Sequence, residues 1–414
     1  TRLQDAREEG TPRDTMGEEN MDVETTTLPE ESQEVDASIL LCHKIFALAN
    51  PSAGVDVAAL GEEVKRLVLA NGMATLYPGY CERFGWMLDE SVLASMIARN
   101  GQKIADLDLK IADATQNLGD VEVRDALLEK AVFLASVGDR PSALVAFEQC
   151  ETKTVAIGQK MEMVFSVMRL HIFHDDWHEV KTQIAKLKDF LEQPGGADWE
   201  RKNKLKVYEG VCLAACRDFK GATTLFLESL STFTTYELMT YTDFVHHACV
   251  CGVVSLKRVE LKEKLIDSPE VLAVIDSLPG VGSLINALHQ CRYKDFMTAF
   301  PVVADGVLNN TWLTNHHRFF LREARVLAYQ QYLQSYKSVT TASMAKAFTV
   351  SEEFLDNELS NFIVEGRLNV KIDKVNGVLV TNRPDAKNAL YQSYIKEGDN
   401  LLNRIQKLSR VVDL

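Results

Sequence analysis

Residues 340–380 read TTASMAKAFTVSEEFLDNELSNFIVEGRLNVKIDKVNGVLV, and the order of periods in this stretch decides the fold. Thr340-Thr341 precede a short helical pattern over Ala342–Phe348. Ser351 is placed to cap a second helix, Glu352–Gly366, because its hydroxyl can accept an orphan N–H of the first turn. Phe354, Leu355, Leu359, Phe362 and Ile363 fall on one face of that helix, and Gly366 ends it. The period then drops from about 3.6 residues to about 2. Leu368, Val370 and Ile372 alternate with Asn369 and Lys371, Asp373–Gly377 turns through Asn376-Gly377, and Val378-Leu379-Val380 returns. Helix, helix, hairpin is the order of a winged helix, here spanning 337–383. Val378, Leu379 and Val380 are expected near an edge of its small sheet, where unpaired backbone groups could take a neighbour's strand.

Upstream, a two-helix unit recurs. One helix stops and its partner leaves at Gly138-Asp139-Arg140, at His174-Asp175-Asp176-Trp177, at Arg217-Asp218-Phe219-Lys220-Gly221 and at Arg292-Tyr293-Lys294-Asp295-Phe296. Each corner is polar and most carry an aromatic. Helix pairs of this kind cannot bury both faces alone, so they stack into a solenoid like that of tetratricopeptide repeats. An ordinary helical bundle is the alternative. Before the repeats, Ile39, Leu40, Ile45, Phe46 and Leu48, then Val64, Leu67 and Val68, carry helical spacing. Leu107, Ile111 and Ala114 belong to a long exposed helix that stops near Asn117-Leu118-Gly119.

Downstream, Arg383-Pro384 closes the winged helix and a last helix runs towards Leu414. Leu390, Tyr394, Leu401, Ile405, Leu408 and Val412 recur on it at three- and four-residue steps, with one step missed at Glu397-Gly398. Such a seam wants partner helices. The fold class is therefore mainly α: a tetratricopeptide-like solenoid, a winged helix and a C-terminal helix. The divisions are an acidic tail (1–38), N-terminal helices and repeats (39–217), a region 218–386 made of a helical part (218–336) and the winged helix (337–383), and the C-terminal helix (387–414).

The chain has 414 residues and a net charge of −14. Residues 1–38 hold twelve Asp/Glu against Arg2, Arg7 and Arg13, and so carry nine of the fourteen negative charges. This stretch lacks apolar periodicity and is expected to be disordered. The mildly acidic remainder offers no basic footprint for nucleic acid. The second winged-helix element bears Glu352, Glu353, Asp356, Glu358 and Glu365, which would repel phosphates. No run of eighteen apolar residues exists to span a membrane. Eight Cys scattered through helical patterns fit a reducing compartment.

No constellation converges on chemistry. His174 and His178 are four apart beside His171, Asp175 and Asp176, a metal-ligand spacing, but they straddle one of the recurring corners. His246, His247, Cys249 and Cys251 would point in several directions from one helix. Cys212 and Cys216 share a face, where Cys commonly acts as a small hydrophobe. There is no P-loop, dinucleotide fingerprint, His-Glu-x-x-His or Gly-x-Ser-x-Gly. No catalytic residue, metal ligand or cofactor site is assigned.

Helical repeats leading into a winged helix resemble the PCI domain, named after the proteasome lid, the signalosome and initiation factor three. More specific strings are Asp198-Trp199-Glu200-Arg201-Lys202-Asn203, Arg217-Asp218-Phe219-Lys220, Gly366-Arg367-Leu368, Thr381-Asn382-Arg383-Pro384-Asp385 and Leu402-Asn403-Arg404-Ile405-Gln406-Lys407-Leu408. They resemble the PCI-family lid subunits of the proteasome regulatory particle, over roughly residues 118–414 well and 39–117 more weakly. Residues 1–38 do not share the resemblance. It implies a non-catalytic structural subunit in the cytoplasm and nucleus. In that family the winged helices pack side by side, the C-terminal helices gather in a bundle, and the arms radiate outward. The implied partners are other PCI and lid subunits, with the ATPase base as a further contact, in a hetero-oligomer that uses neither nucleic acid nor membrane. Deubiquitinating and ATPase sites belong to other subunits of that complex. The rival readings are a scaffold like subunit one of the signalosome, a winged-helix nucleic-acid binder, and a metal enzyme built on His171–His178.

Overall fold

The computed structural model describes residues 35–51, 56–194, 198–382 and 386–412, and these run helix after helix. The N-terminal helices are α1 (Ala37–Ala49), α2 (Val57–Asn71), α3 (Tyr77–Phe84) and the long α4 (Glu90–Asn117). Paired helices follow: α5 (Asp120–Val137) with α6 (Arg140–Lys153), α7 (Ile157–Phe173) with α8 (Trp177–Glu192), and α9 (Trp199–Ala215) with α10 (Phe219–Ser229). Next come α11 (Tyr241–Ser255), the short α12 (Arg258–Leu261) and α13 (Pro269–Leu272), the pair α14 (Val281–His289) and α15 (Tyr293–Leu308), and α16 (His317–Leu333). The winged helix is β1 (Ser338–Thr340), α17 (Thr341–Phe348), α18 (Glu352–Val364), β2 (Val370–Asp373) and β3 (Val378–Thr381), and α19 (Ala386–Val412) follows it.

The four corners read from sequence share one hydrogen-bond pattern. At each, a residue one or two positions past the helix has left-handed φ: Gly138 at 83°, Asp175 at 57°, Arg217 at 68° and Cys291 at 60°. Its N–H donates to the carbonyl three residues back, at Ala135, Ile172, Ala214 and Leu288 respectively. The next N–H donates five residues back, to Leu134, His171, Leu213 and Ala287. The last carbonyls of the helix are thereby satisfied without water. In three corners the following Asp then caps the partner helix, Asp139 accepting from Ser142, Asp176 from Glu179 and Asp218 from Gly221. The fourth has Arg292 there and no side-chain cap.

Three apolar clusters result. One, around Val64, Val68, Met73, Tyr77 and Met96, joins α1–α4. A second, around Ala131, Leu134, Ala143, Phe147 and Cys150, fills the α4–α7 stack. The largest runs without interruption from Met161 to Leu379 and includes Ile39 of α1. The division drawn at 217/218 falls inside the α9–α10 hairpin, within this continuous core.

The tail ends earlier than the sequence indicated. Residues 1–34 lie outside the described residues, but Val35 packs against the main core and Asp36 accepts from Ser38 as the cap of α1. Asp36 also sits 3.0 Å from Arg169 Nε, and its N–H donates to the Glu237 carbonyl at 2.9 Å. Arg169 Nη1 lies 2.8 Å from Glu237 Oε1, and the Tyr208 hydroxyl donates to the same oxygen at 2.5 Å. Lys204 reaches the other oxygen at 3.0 Å. Burial pushes the Glu237 carboxyl up, but Arg169 and Lys204 outweigh it and hold the group below its usual range. A carboxyl held low contributes stability that is present above its free-chain value, about pH 4.3, and is lost as pH falls.

Replacing Arg169 with Ala leaves Glu237 half-buried without its arginine. Thermal unfolding at neutral pH should show a loss of about 3–5 kcal/mol. The penalty should shrink in an Arg169→Ala/Glu237→Gln double variant, since of the two carboxylates that Arg169 bound only Asp36 then stays charged and unpaired.

Candidate assembly surfaces

The winged-helix sheet has the order β1-β3-β2, with both pairings antiparallel. Ser338 stands opposite Val380, Val339 opposite Leu379 and Thr340 opposite Val378. On the other side Val370 faces Thr381, Lys371 faces Val380, Ile372 faces Leu379 and Asp373 faces Val378. Val378, Leu379 and Val380 therefore occupy the central strand and not an edge, which corrects the sequence expectation. The reason is β1, three residues after α16 whose length carries no readable alternation. Leu379 is fully buried in the main core. Val380 is 40% exposed and lies on the opposite face.

The open edges are β1 and β2. Thr381 N–H donates to Lys337, Thr341 N–H to Gly377 and Asn382 N–H to Asn369. Antiparallel ladders alternate, so Ser338 and Thr340 on one edge, and Val370 and Ile372 on the other, turn their backbone groups away from β3. These four are the strand-addition positions that the sequence reading missed.

The acidic helix α18 spends its inner carboxylates inside the fold. Glu358 pairs with Arg325 at 2.7 Å and accepts the Tyr329 hydroxyl at 2.8 Å. Asp356 pairs with Lys374 of the wing at 2.8 Å. Glu352 and Glu353 remain exposed, and no basic residue faces outward between them and Glu365. Arg367, just beyond the helix, is bonded to Glu323 of α16 through both terminal nitrogens.

The helix α19 is 27 residues long, about 40 Å at ~1.5 Å per residue. Leu390, Tyr394, Leu401, Ile405, Leu408 and Val412 all lie more than half exposed, and none belongs to the three apolar clusters. At roughly 100° per residue, the six fall within an arc of about 60°. Tyr391, Ile395 and Leu402, at 64%, 65% and 57% exposure, extend this face by one position around the wheel. The seam is thus wide enough for two neighbours. Lys396, Arg404, Lys407 and Arg410 lie outside it.

The histidine cluster does not assemble. His174 caps the end of α7, while His178 sits in the first turn of α8 across the corner. His171 turns to Arg140, 3.1 Å away, and Arg140 binds Asp176 at 2.5 Å. Among the described residues no three His, Cys, Asp or Glu are placed to hold a metal, and no helix is long and apolar enough to cross a membrane.

Three family models match the chain. "26S proteasome subunit RPN7" covers residues 89–264, "PCI domain" covers 296–383, and "26S proteasome regulatory subunit RPN7/PSMD6 C-terminal helix" covers 391–412. The 26S proteasome non-ATPase regulatory subunit 6 homolog of Arabidopsis thaliana is 48% identical over 377 residues, which is 91% of this chain and 97% of that protein. The 26S proteasome regulatory subunit RPN7 of Saccharomyces cerevisiae is 36% identical over 331 residues, covering 79% and 77%. The COP9 signalosome complex subunit 1b of Drosophila melanogaster is 21% identical over 321 residues, covering 77% of this chain and 61% of that protein.

Two outcomes follow from the geometry. Leu379→Ala should destabilise the winged helix by about 2–5 kcal/mol in thermal unfolding, as for a fully buried leucine. Removing residues 386–414 should leave the melting temperature of the remainder unchanged within about 2 °C, because the described side chains of α19 are exposed.

Proposed function

This chain belongs to the family of 26S proteasome subunit RPN7, and on that premise we propose that it is a structural subunit of the regulatory particle lid, held there by its winged helix and by α19. The observation that carries the reading is α19, whose apolar face has no cover among the described residues. Most helical stability in proteins comes from packing an amphipathic face rather than from intrinsic propensity, so the stability of α19 comes from partners. Each large apolar side chain buried there contributes roughly 1.5–3 kcal/mol, against the cost of association. Partner helices bearing the same kind of seam, as other PCI subunits do, fit this face. Strands added at β1 or β2 would extend the sheet into neighbouring winged helices. The ATPase base is a further partner in this reading.

The subunit performs no chemistry of its own in this proposal. Its role in degrading ubiquitinated proteins is to hold other subunits in place. The location is the cytosol and nucleus, a reading supported by eight free thiols.

The test is capture of tagged full-length chain from cells, with mass spectrometry of what comes with it. Leu401→Asp combined with Leu408→Asp should leave the fold intact, since both side chains are exposed, and should strip away at least nine-tenths of the other lid subunits. Equal recovery of those subunits by the double variant would overturn the role given to α19.

A further inference from the structure

Two histidines from distant parts of the chain, His43 and His247, meet on one tryptophan, with His246 beside His247. His43 comes from α1; His246 and His247 come from α11. Trp312, in the segment between α15 and α16, is buried between them. The His43 ring centroid is 5.0 Å from the Trp312 ring and the His247 centroid 5.7 Å, while His246 and His247 are 6.1 Å apart. His43 Nδ1 is 2.7 Å from Thr311 Oγ1, a contact spanning 268 positions. His246 Nε2 lies against Gly306 of α15, where an added Cβ would stand 3.3 Å away.

His247 is held in an unusual way. Its Nδ1 is 2.7 Å from the Asp243 carbonyl and its Nε2 is 3.2 Å from Asn310 Oδ1. Asn310 Oδ1 already accepts the backbone N–H groups of Trp312 and Leu313, at 3.1 and 3.2 Å, which fixes the orientation of that amide. Both ring nitrogens therefore face acceptors. A neutral imidazole can donate to only one of them; an imidazolium would satisfy both but would place a charge in the core. Both acceptors belong to the body, and the link to α1 runs through Trp312 to His43.

We propose that His43 of α1, packed with His247 on Trp312, forms an acid-sensitive latch that holds α1 on the body at neutral pH and loosens it on acidification. The helix is well placed for this. Ile39 enters the main core, while Leu41, Ile45 and Leu48 enter the N-terminal cluster, so α1 joins the N-terminal helices to the body. Loosening it frees that end of the arm.

The electrostatics run in the required direction. Burial pulls all three imidazoles below their ordinary range, His246 to about 4. His247 also lowers His43 and His246 by like-charge repulsion, and the Asp243 carboxylate pulls the other way without winning. The elements around the cluster present, besides the histidines, Asp243 from α11, Asn310, Thr311 and Trp312 from the α15–α16 segment, Gly306 from α15, and Phe226 from α10 at 6.4 Å from the His247 ring. A histidine held low in the closed state and free at about 6.5 in the open one takes up a proton on opening. The latch is therefore fully closed above about pH 6.5 and weakens as pH falls towards 4. Each such histidine shifts the opening equilibrium about tenfold per pH unit inside that window.

Hydrogen–deuterium exchange on the full chain tests this. Amides of 37–49 are followed from pH 7.5 to 5, corrected for intrinsic rate, beside those of 161–172 as an internal reference. The opening constant over 37–49 should rise about fivefold between pH 6.5 and 5.5, and clearly more than over 161–172. His43→Asn, which can keep a bond to Thr311, should flatten that slope by about one proton. Equal pH slopes for the two segments, or an unchanged slope in the folded His43→Asn variant, would overturn the latch.

Discussion

Arg169 fixes where the arm begins. It is a long cation inside a helical stack, and it persists there only because it is surrounded by acceptors from three separate elements. Asp36 comes from the start of α1, Glu237 from the segment before α11, and the Tyr208 hydroxyl from α9. Leaving any of these charges unpaired in the interior costs more than the pair contributes. Their satisfaction therefore dictates that α1 cross back onto α7, that α7 and α9 lie side by side, and that residues 233–239 fold over both. The N-terminal helices inherit their position from that crossing, because α1 is shared between their cluster and the main core. An apolar contact could be slid along a helix surface; a bonded guanidinium with fixed directions cannot.

The corners show how much of the solenoid was legible. Three of them could be read from Asp139, Asp176 and Asp218, since an Asp just before an apolar helix serves as a cap wherever it stands. Glycine was a weaker guide. Only Gly138 marks a left-handed corner with the residue that adopts it freely, while Asp175, Arg217 and Cys291 take the same conformation. Arg217 lies 5.3 Å from the Phe319 ring, a cation–π contact that helps hold the corner. The tertiary setting supplies what local preference withholds.

The winged helix was legible in its long elements and misread in its short one. The caps, the apolar face of α18 and the Asn376-Gly377 turn are local signals and came through. Ser338-Val339-Thr340 is too short to show alternation, yet its pairing with β3 moves Leu379 from a supposed edge to the centre of the sheet. The attachment of α1 was illegible for a different reason. His43 and Thr311 are 268 positions apart, and no period in a sequence reports a pairing of that range. The same holds for Asp36, which by composition belongs with the acidic tail and by contact belongs with the body.

The seam on α19 was legible because nothing among the described residues competes for it. Elsewhere an apolar stripe is consumed by its neighbours, and its sequence pattern says only that it is buried. On α19 the stripe is complete and uncovered, so pattern and exposure together indicate a missing surface. The interior gives the opposite message. Its charges close on one another, as Arg325 does with Glu358 and Arg367 with Glu323, and these pairs are scattered through the elements that they brace. Three of its thiols are suppressed as nucleophiles, since burial pushes Cys42 up to about 11 and Cys212 and Cys249 up to about 12. A molecule whose buried polar groups serve its own shape, and whose large uncovered apolar helix faces outward, has its free energy of interaction to offer at that helix. That distribution supports a role in holding partners.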